Sequence, residues 1–360
     1  MKSGFSETWL TRIKDRVAAR AHVWAYQEFL EKRLQAGKPD LYEVFWRQIL
    51  GLPLIRNVQI QTQTRCNADC VFCPYVESWM VKHPGFMEDA VFEKLLNDLR
   101  PFSHWINQGK VCLYFMEEPL LDPKLIRHGE RVYQAFPQTT LELATNALVL
   151  TETMAEKLIR LLSGKRHWIR VSHHGINKET FEFIMKIPYD TALRNLVRFL
   201  KMADGRLCID LRGSGTSVDG NIVYFSEEQY REYWETIFRE ESINTRNVNL
   251  DIFKFHDRAG NIQRTERNAC QNNHGAIREI DRDHPFHCSR LDEWIHVMVD
   301  GTISLCCNDY HMEVALPNIK NVNLVEYFYS KAYRDLVGRV TGRIETPPDF
   351  LCKRCISPGG

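Results

Sequence analysis

The stretch Val58-Gln-Ile-Gln-Thr-Gln-Thr-Arg-Cys-Asn-Ala-Asp-Cys-Val-Phe-Cys-Pro-Tyr75 decides how the rest of this chain is read. It opens with alternating apolar and polar residues, the period of a β-strand, and runs into Cys66-x3-Cys70-x2-Cys73. Three thiolates therefore leave one short loop at the end of a strand. Such a trio can hold three corners of a cubane iron–sulfur cluster and leave the fourth iron without a protein ligand. An iron with an open position does chemistry, whereas a closed site mainly serves structure or electron storage. Zinc is the alternative, but it ordinarily takes a fourth protein ligand. The three-residue gap between Cys66 and Cys70 is also less typical of zinc pairs.

Composition narrows the class. The chain has 360 residues, 44% hydrophobic and 26% charged, which suits a globular protein of two domains. A net charge of +1 argues against an electrostatic nucleic-acid binder. Eleven cysteines without a secretory leader imply a reducing cytoplasm, with thiols available for metal rather than disulfides. No apolar run approaches the roughly 20 residues that span a bilayer, so no membrane association is expected.

Outward from the cysteine loop, residues 5–50 read as helices, and a helical N-terminal extension is expected over 1–55. Strands are expected at 58–64, 110–116, 140–145, 167–172, 206–212 and 247–254. Helices are expected near 87–99, 122–135, 151–163, 178–203 and 227–241. This alternation predicts an α/β fold with a parallel sheet. A parallel strand buried on both faces should be apolar throughout. Here Gln59, Gln61 and Gln63, then Arg170 and Ser172, then Cys208, Asp210 and Arg212, alternate with apolar neighbours. One face of the sheet is therefore polar. It is either a lumen for a polar ligand or an internally satisfied core network.

The cysteine spacing and its flanks resemble the radical S-adenosylmethionine (radical SAM) superfamily. The resemblance implies a partial (β/α)6 barrel over 56–257, with SAM on the open iron and cleaved to a 5′-deoxyadenosyl radical. Tyr114-Phe-Met-Glu-Glu-Pro-Leu-Leu-Asp-Pro123 is similar to the superfamily's Gly-Gly-Glu-Pro motif, which contacts the SAM ammonium. Met116, Glu117 and Glu118 align with the Gly-Gly-Glu triplet, although both glycines are missing. Backbone carbonyl contacts survive that change. The plainer reading makes the two glutamates acidic residues that favour a helix dipole. Asn146, in a Thr-Asn-Ala turn like the family's Thr-Asn-Gly, and Ser172 with Arg212 are further candidates for SAM contacts. Asn146 also reads as a simple turn cap. The loop Phe255-His-Asp-Arg-Ala-Gly-Asn261 resembles one that lies near adenine in relatives.

After an expected linker at 258–287, residues 288–360 carry Cys288-x12-Gly301-x4-Cys306 and then Cys352-x2-Cys355. This pattern resembles the SPASM/twitch extension, a small α+β domain, and implies an auxiliary 4Fe-4S cluster with all four irons ligated. Asp300-Gly301 is expected to turn a hairpin. A four-cysteine zinc ribbon has nearly the same spacing, and Cys307 is an alternative to Cys306. Of the remaining cysteines, Cys112 reads as a buried small hydrophobe. Cys208 and Cys270 are candidate hydrogen donors to a substrate radical.

The resemblance thus implies two 4Fe-4S clusters, SAM, and a flavodoxin- or ferredoxin-type reductant. The expected reaction is hydrogen abstraction from a polar small molecule, sugar-like or aminocyclitol-like, ending in oxidation or epimerisation. A maturase of ribosomally made peptides is the enzymatic alternative. An iron–sulfur electron carrier or a zinc-binding protein is the non-enzymatic one.

Overall fold

The computed structural model describes residues 50–217, 220, 222–255, 258–262 and 288–355, together with Glu43, Trp46 and Arg47. The helices expected across residues 5–50 and the candidate Cys270 lie outside the described residues, those three positions and Leu50 apart.

Eight strands form one sheet in the order β6-β5-β4-β3-β2-β1-β7-β8. The first six are β1 (Asn57–Ile60), β2 (Lys110–Cys112), β3 (Thr140–Thr145), β4 (His167–Ser172), β5 (Ile209–Gly213) and β6 (Val248–Ile252). Each pairs in parallel with the next. The crossovers carry α1 (Asp89–Leu99), α2 (Leu125–Ala135), α3 (Glu152–Leu162), α4 (Lys178–Met185), α5 (Tyr189–Ala203) and α6 (Glu227–Glu240). This is the strand–helix alternation of an open parallel barrel, with neighbours in sheet and sequence coinciding.

Local chemistry sets the element ends. Thr151 caps α3 by accepting from Met154 N, and Ser226 with Gln229 forms a capping box at α6. The single helix expected over 178–203 is two. Lys186 turns into the left-handed region at φ 57°, and Pro188 then starts a new helix. The first strand is also shorter than its alternating pattern, ending at Ile60 instead of residue 64.

Beyond the six-strand run, β7 (Trp294–Val297) pairs in parallel with β1, and β8 (Ile303–Ser304) returns antiparallel to β7. The C-terminal hairpin therefore extends the barrel's own sheet. Its turn closes at Gly301, whose φ of +91° suits glycine alone; a Cβ there would lie 2.9 Å from Asn318 Oδ1. Asp300 accepts from Thr302 N and Oγ1, both at 2.8 Å, and fixes the turn. Helices α7 (Leu324–Tyr329) and α8 (Lys331–Val340) follow, and Phe328 packs edge-on against Phe102.

Register divides the sheet into two faces. Val58, Val111, Leu141, Ile169 and Leu211 are buried apolar residues on one, where Leu141 also lies near a leucine of α3 beside Gly129 of α2. Lys110, Cys112, Glu142, Arg170, Asp210 and Arg212 occupy the other. The polar alternation in the sequence is a real inner face.

Candidate active site

The loop after β1 is pinned from several sides before any cysteine is considered. Tyr75 OH accepts from Cys66 N at 2.9 Å and donates to Thr64 O at 2.8 Å. Gln63 Nε2 donates to Arg65 O and Glu118 O, and Gln63 Oε1 accepts from Arg65 N. Gln61 donates to Glu117 and accepts from Val299 N. Gln61 and Gln63 thus form the internally satisfied network that the sequence also allowed, and they hold the loop in place. Tyr75, Gln61 and Gln63 carry no motif that announces this role.

Within the loop, Cys73 N donates to Cys70 O, and Cys70 Sγ lies 3.7 Å from Met185 Sδ at the end of α4. Burial pushes the Cys66 thiol up to about 12, with further upward pressure from Glu118, Cys73 and Glu117. Burial likewise raises Cys70, where Cys73 and Cys66 add to it, and Cys73. Three partly buried thiols close enough to disfavour one another's charge are poor free thiolates. A bound metal centre supplies the positive charge that deprotonates such a set.

Glu117 and Glu118 differ in their roles. Glu118 accepts from Leu120 N at 3.1 Å, Thr145 Oγ1 at 2.7 Å and Asn146 N at 2.8 Å, tying the loop after β2 to the end of β3. Glu117 Oε2 accepts from Phe115 N, Met116 N and Gln61 Nε2. Its buried Oε1 has no partner. Burial raises both carboxyls to about 7 despite these donors. An orphaned carboxylate oxygen beside the cysteine loop fits an ammonium group, so the residues present suit SAM. Met116 is half-buried against the cluster of Met80, Phe115 and Met298. Asn146 Nδ2 donates to Asn67 Oδ1 at 2.7 Å, which joins the end of β3 to the cysteine loop.

Ser172 and Arg212 stand opposite each other on β4 and β5. Arg212 pairs with Asp251 at 2.6 Å and lies over the Phe253 ring. Glu142 is the hub of the inner face, held by Lys110 at 2.7 Å, by Arg170 at 3.5 Å and by the Tyr114 hydroxyl. Cys112 is buried on the same face, between Gln59 and Glu142. Cys208 precedes β5, is exposed, and donates its backbone N–H to His167 Nε2. The cysteine loop follows β1, so in a parallel sheet Cys208 lies at the opposite end of the strands.

The C-terminal thiols converge from three segments. Negative charge on Cys355 and Cys307 raises Cys288, after burial, and Cys307 and Cys352 do the same to Cys306. Asn308 N lies 3.4 Å from Cys306 Sγ, and its Nδ2 lies 3.6 Å from Cys355 Sγ. Among the described residues no three His, Cys, Asp or Glu side chains converge on a point for a single metal ion. A cubane presents its irons at separate corners and does not ask that of its ligands. The loop at 258–262 touches this set as well, since Asn261 Nδ2 donates to Asn308 O at 2.8 Å.

Comparison with known proteins agrees with this geometry. The radical SAM superfamily model matches residues 60–237, and the iron–sulfur cluster-binding SPASM domain matches residues 288–356. The chain belongs to the radical SAM superfamily and carries a C-terminal SPASM domain. Those two domains imply SAM and 4Fe-4S clusters as cofactors.

Among solved structures, the chain is similar to BtrN in complex with AdoMet and 2-DOIA. That match has TM-score 0.52 and 15% identity, over 85% of this chain and 94% of that one. Streptococcus suis SuiB bound to precursor peptide SuiA gives TM-score 0.58 and 13% identity, over 82% and 69%. Native anSMEcpe with bound AdoMet gives 0.50 and 14%, over 78% and 82%. At these identities the likeness is one of fold. No curated protein matches the chain by sequence. Among the described residues, no helix is long and apolar enough to cross a membrane.

Proposed function

We propose that Cys66, Cys70 and Cys73 hold the SAM-binding 4Fe-4S cluster, and that Cys288, Cys306, Cys352 and Cys355 hold an auxiliary one. The substrate in this reading is a polar small molecule, sugar-like or aminocyclitol-like. When bound, SAM and its cluster supply the radical that removes a hydrogen atom from an unactivated carbon. The chain's own residues do the rest. Glu117 Oε1 receives the ammonium of SAM, with backbone carbonyls of Met116 and Glu117 beside it. Ser172 and Arg212 serve its carboxylate and ribose. The inner face of the sheet orients the substrate and keeps out competing groups.

The observation that carries the small-molecule reading is that inner face. Lys110, Glu142, Arg170, Asp210, Arg212 and Asp251 come from five adjacent strands, where Glu142 pairs with Lys110 and Arg170, Arg212 pairs with Asp251, and Asp210 accepts from Asn249. A preorganised set of donors and acceptors suits a compact hydroxylated ligand. The gathered C-terminal thiols favour oxidation as the outcome, with the auxiliary cluster as electron acceptor. Epimerisation through a thiol is the alternative, with Cys270 the better candidate because Cys208 stands at the far end of the strands, and a peptide substrate is the runner-up. The reductant is of flavodoxin or ferredoxin type, in a reducing cytoplasm.

The test is anaerobic reconstitution followed by incubation with reductant, SAM and deuterated candidates: inositols, amino sugars and short peptides. Deuterium in 5′-deoxyadenosine from a cyclitol or sugar supports the proposal. Transfer from peptides alone, or a SAM-blind cluster spectrum, overturns it. Full product formation by Cys208→Ala and Cys270→Ala removes the thiol route.

A further inference from the structure

His296 is a side chain for which neither fold nor proposed chemistry has yet supplied a purpose. It lies on β7, is 1% exposed, and has no hydrogen-bond partner at Nδ1 or Nε2. Its register partner across the sheet is Gln59, whose buried Oε1 is also unpartnered. Gln59 in turn faces Cys112 on β2. All three positions therefore belong to the polar inner face, below the cysteine loop that follows β1.

Three buried polar atoms without partners on two adjacent strands are expensive to leave empty. Sheet spacing places neighbouring strands about 4.8 Å apart, so one small ligand reaches both side chains. Burial depresses the basicity of His296 well below the usual range, and the nearby Arg290 adds to that. A neutral imidazole offers one donor and one acceptor, and the Gln59 oxygen is a second acceptor. The ring is oriented by Trp294, stacked on it at 5.6 Å, and by Phe115, edge-on at 5.9 Å. Polar atoms set between aromatic walls describe a recognition site better than a core filler.

We infer that His296 and Gln59 form a ligand-binding subsite on the inner face. It takes a hydroxyl with an adjacent hydroxyl or amine, a group that donates to Gln59 Oε1 and both donates to and accepts from His296. The inference rests on the small-molecule reading for its ligand class, though not for the existence of the subsite. It also gives the C-terminal hairpin a direct part in substrate recognition, because β7 carries His296 into the sheet of the barrel.

The experiment uses the cluster-loaded enzyme and the variants His296→Phe, His296→Gln and Gln59→Met. Thermal midpoints are measured without ligand and with myo-inositol or glucosamine as probes. Without ligand, His296→Phe and Gln59→Met should match or exceed the parent midpoint, by up to about 2–4 °C. The probe-induced rise seen in the parent should vanish in both, and His296→Gln should keep part of it. A fall of several degrees in the ligand-free midpoint of His296→Phe overturns the inference, since the imidazole would then belong to the core. An undiminished probe response in both apolar variants overturns it too. If the parent ignores both probes while the apolar variants are stabilised, the subsite stands and the substrate class proposed above fails.

Discussion

Cys66, Cys70 and Cys73 leave one loop within eight residues, whereas Cys288, Cys306, Cys352 and Cys355 are spread over 68 residues. The first set is held by hydrogen bonds from its own flanks, Tyr75 and Gln63 foremost. The second exists only after a hairpin and two helices have returned the chain to itself. In the assignment proposed above, three thiols from one loop would leave a coordination position open. Four thiols from several directions would close theirs. On that assignment, the two cysteine sets differ in how locally they are assembled.

The largest expected effect breaks that contrast at its root. Cys70→Ala should abolish SAM cleavage and reduce iron from about eight to about four per chain. Cys352→Ala should cause a similar iron loss while SAM cleavage persists. Iron analysis and 5′-deoxyadenosine assays read both, and loss of all iron in either variant would mean the two centres do not assemble separately.

Next in size are the buried carboxyls, one in each region. Burial raises Glu117 to about 7 and Asp309 to about 6. A raised folded value means that the folded state holds the proton more tightly. The stabilisation is full below the unfolded value and is lost as pH rises through the folded one. The windows are 4.5 to about 7 for Glu117 and 3.8 to about 6 for Asp309. Each contributes up to about 3 kcal/mol by linkage. In SAM-free protein, Glu117→Gln and Asp309→Asn should each flatten the thermal midpoint across its own window. Saturating SAM should erase the Glu117 contribution and leave that of Asp309, because an ammonium favours the charged carboxylate.

Gly301→Ala should cost about 1–3 kcal/mol through its positive φ and should lower auxiliary iron more than SAM cleavage. Equal losses would show that the hairpin supports both centres alike through β7 and β1. The smallest effect lies at Ala147, where the family-like turn has alanine at φ 62°. Ala147→Gly should raise the unfolding free energy slightly, by up to about 1 kcal/mol, without altering iron content.

Much of the fold was legible. The strands at 140–145 and 167–172 stand where the alternation put them. Helix ends were found to within a few residues because caps and apolar spacing are local signals. The break at Lys186 was missed, since apolar spacing continues across it while one left-handed residue redirects the chain. The hairpin at Asp300-Gly301 was legible from its turn residues, but its pairing with β1 was not. Parallel pairing joins distant segments and leaves no mark in either sequence.

The sequence by itself pointed to the superfamily, because three cysteines within one loop need no long-range folding to be recognised. It also determined the polar face, because side-chain alternation survives any arrangement of parallel strands. Only the tertiary structure decided which polar groups on that face are satisfied. Gln61 and Gln63 proved to be internal fasteners, while the Gln59 side-chain oxygen and both His296 ring nitrogens were left without partners. Hydrogen-bond satisfaction depends on which strands become neighbours, and that is settled by the packing of the whole chain.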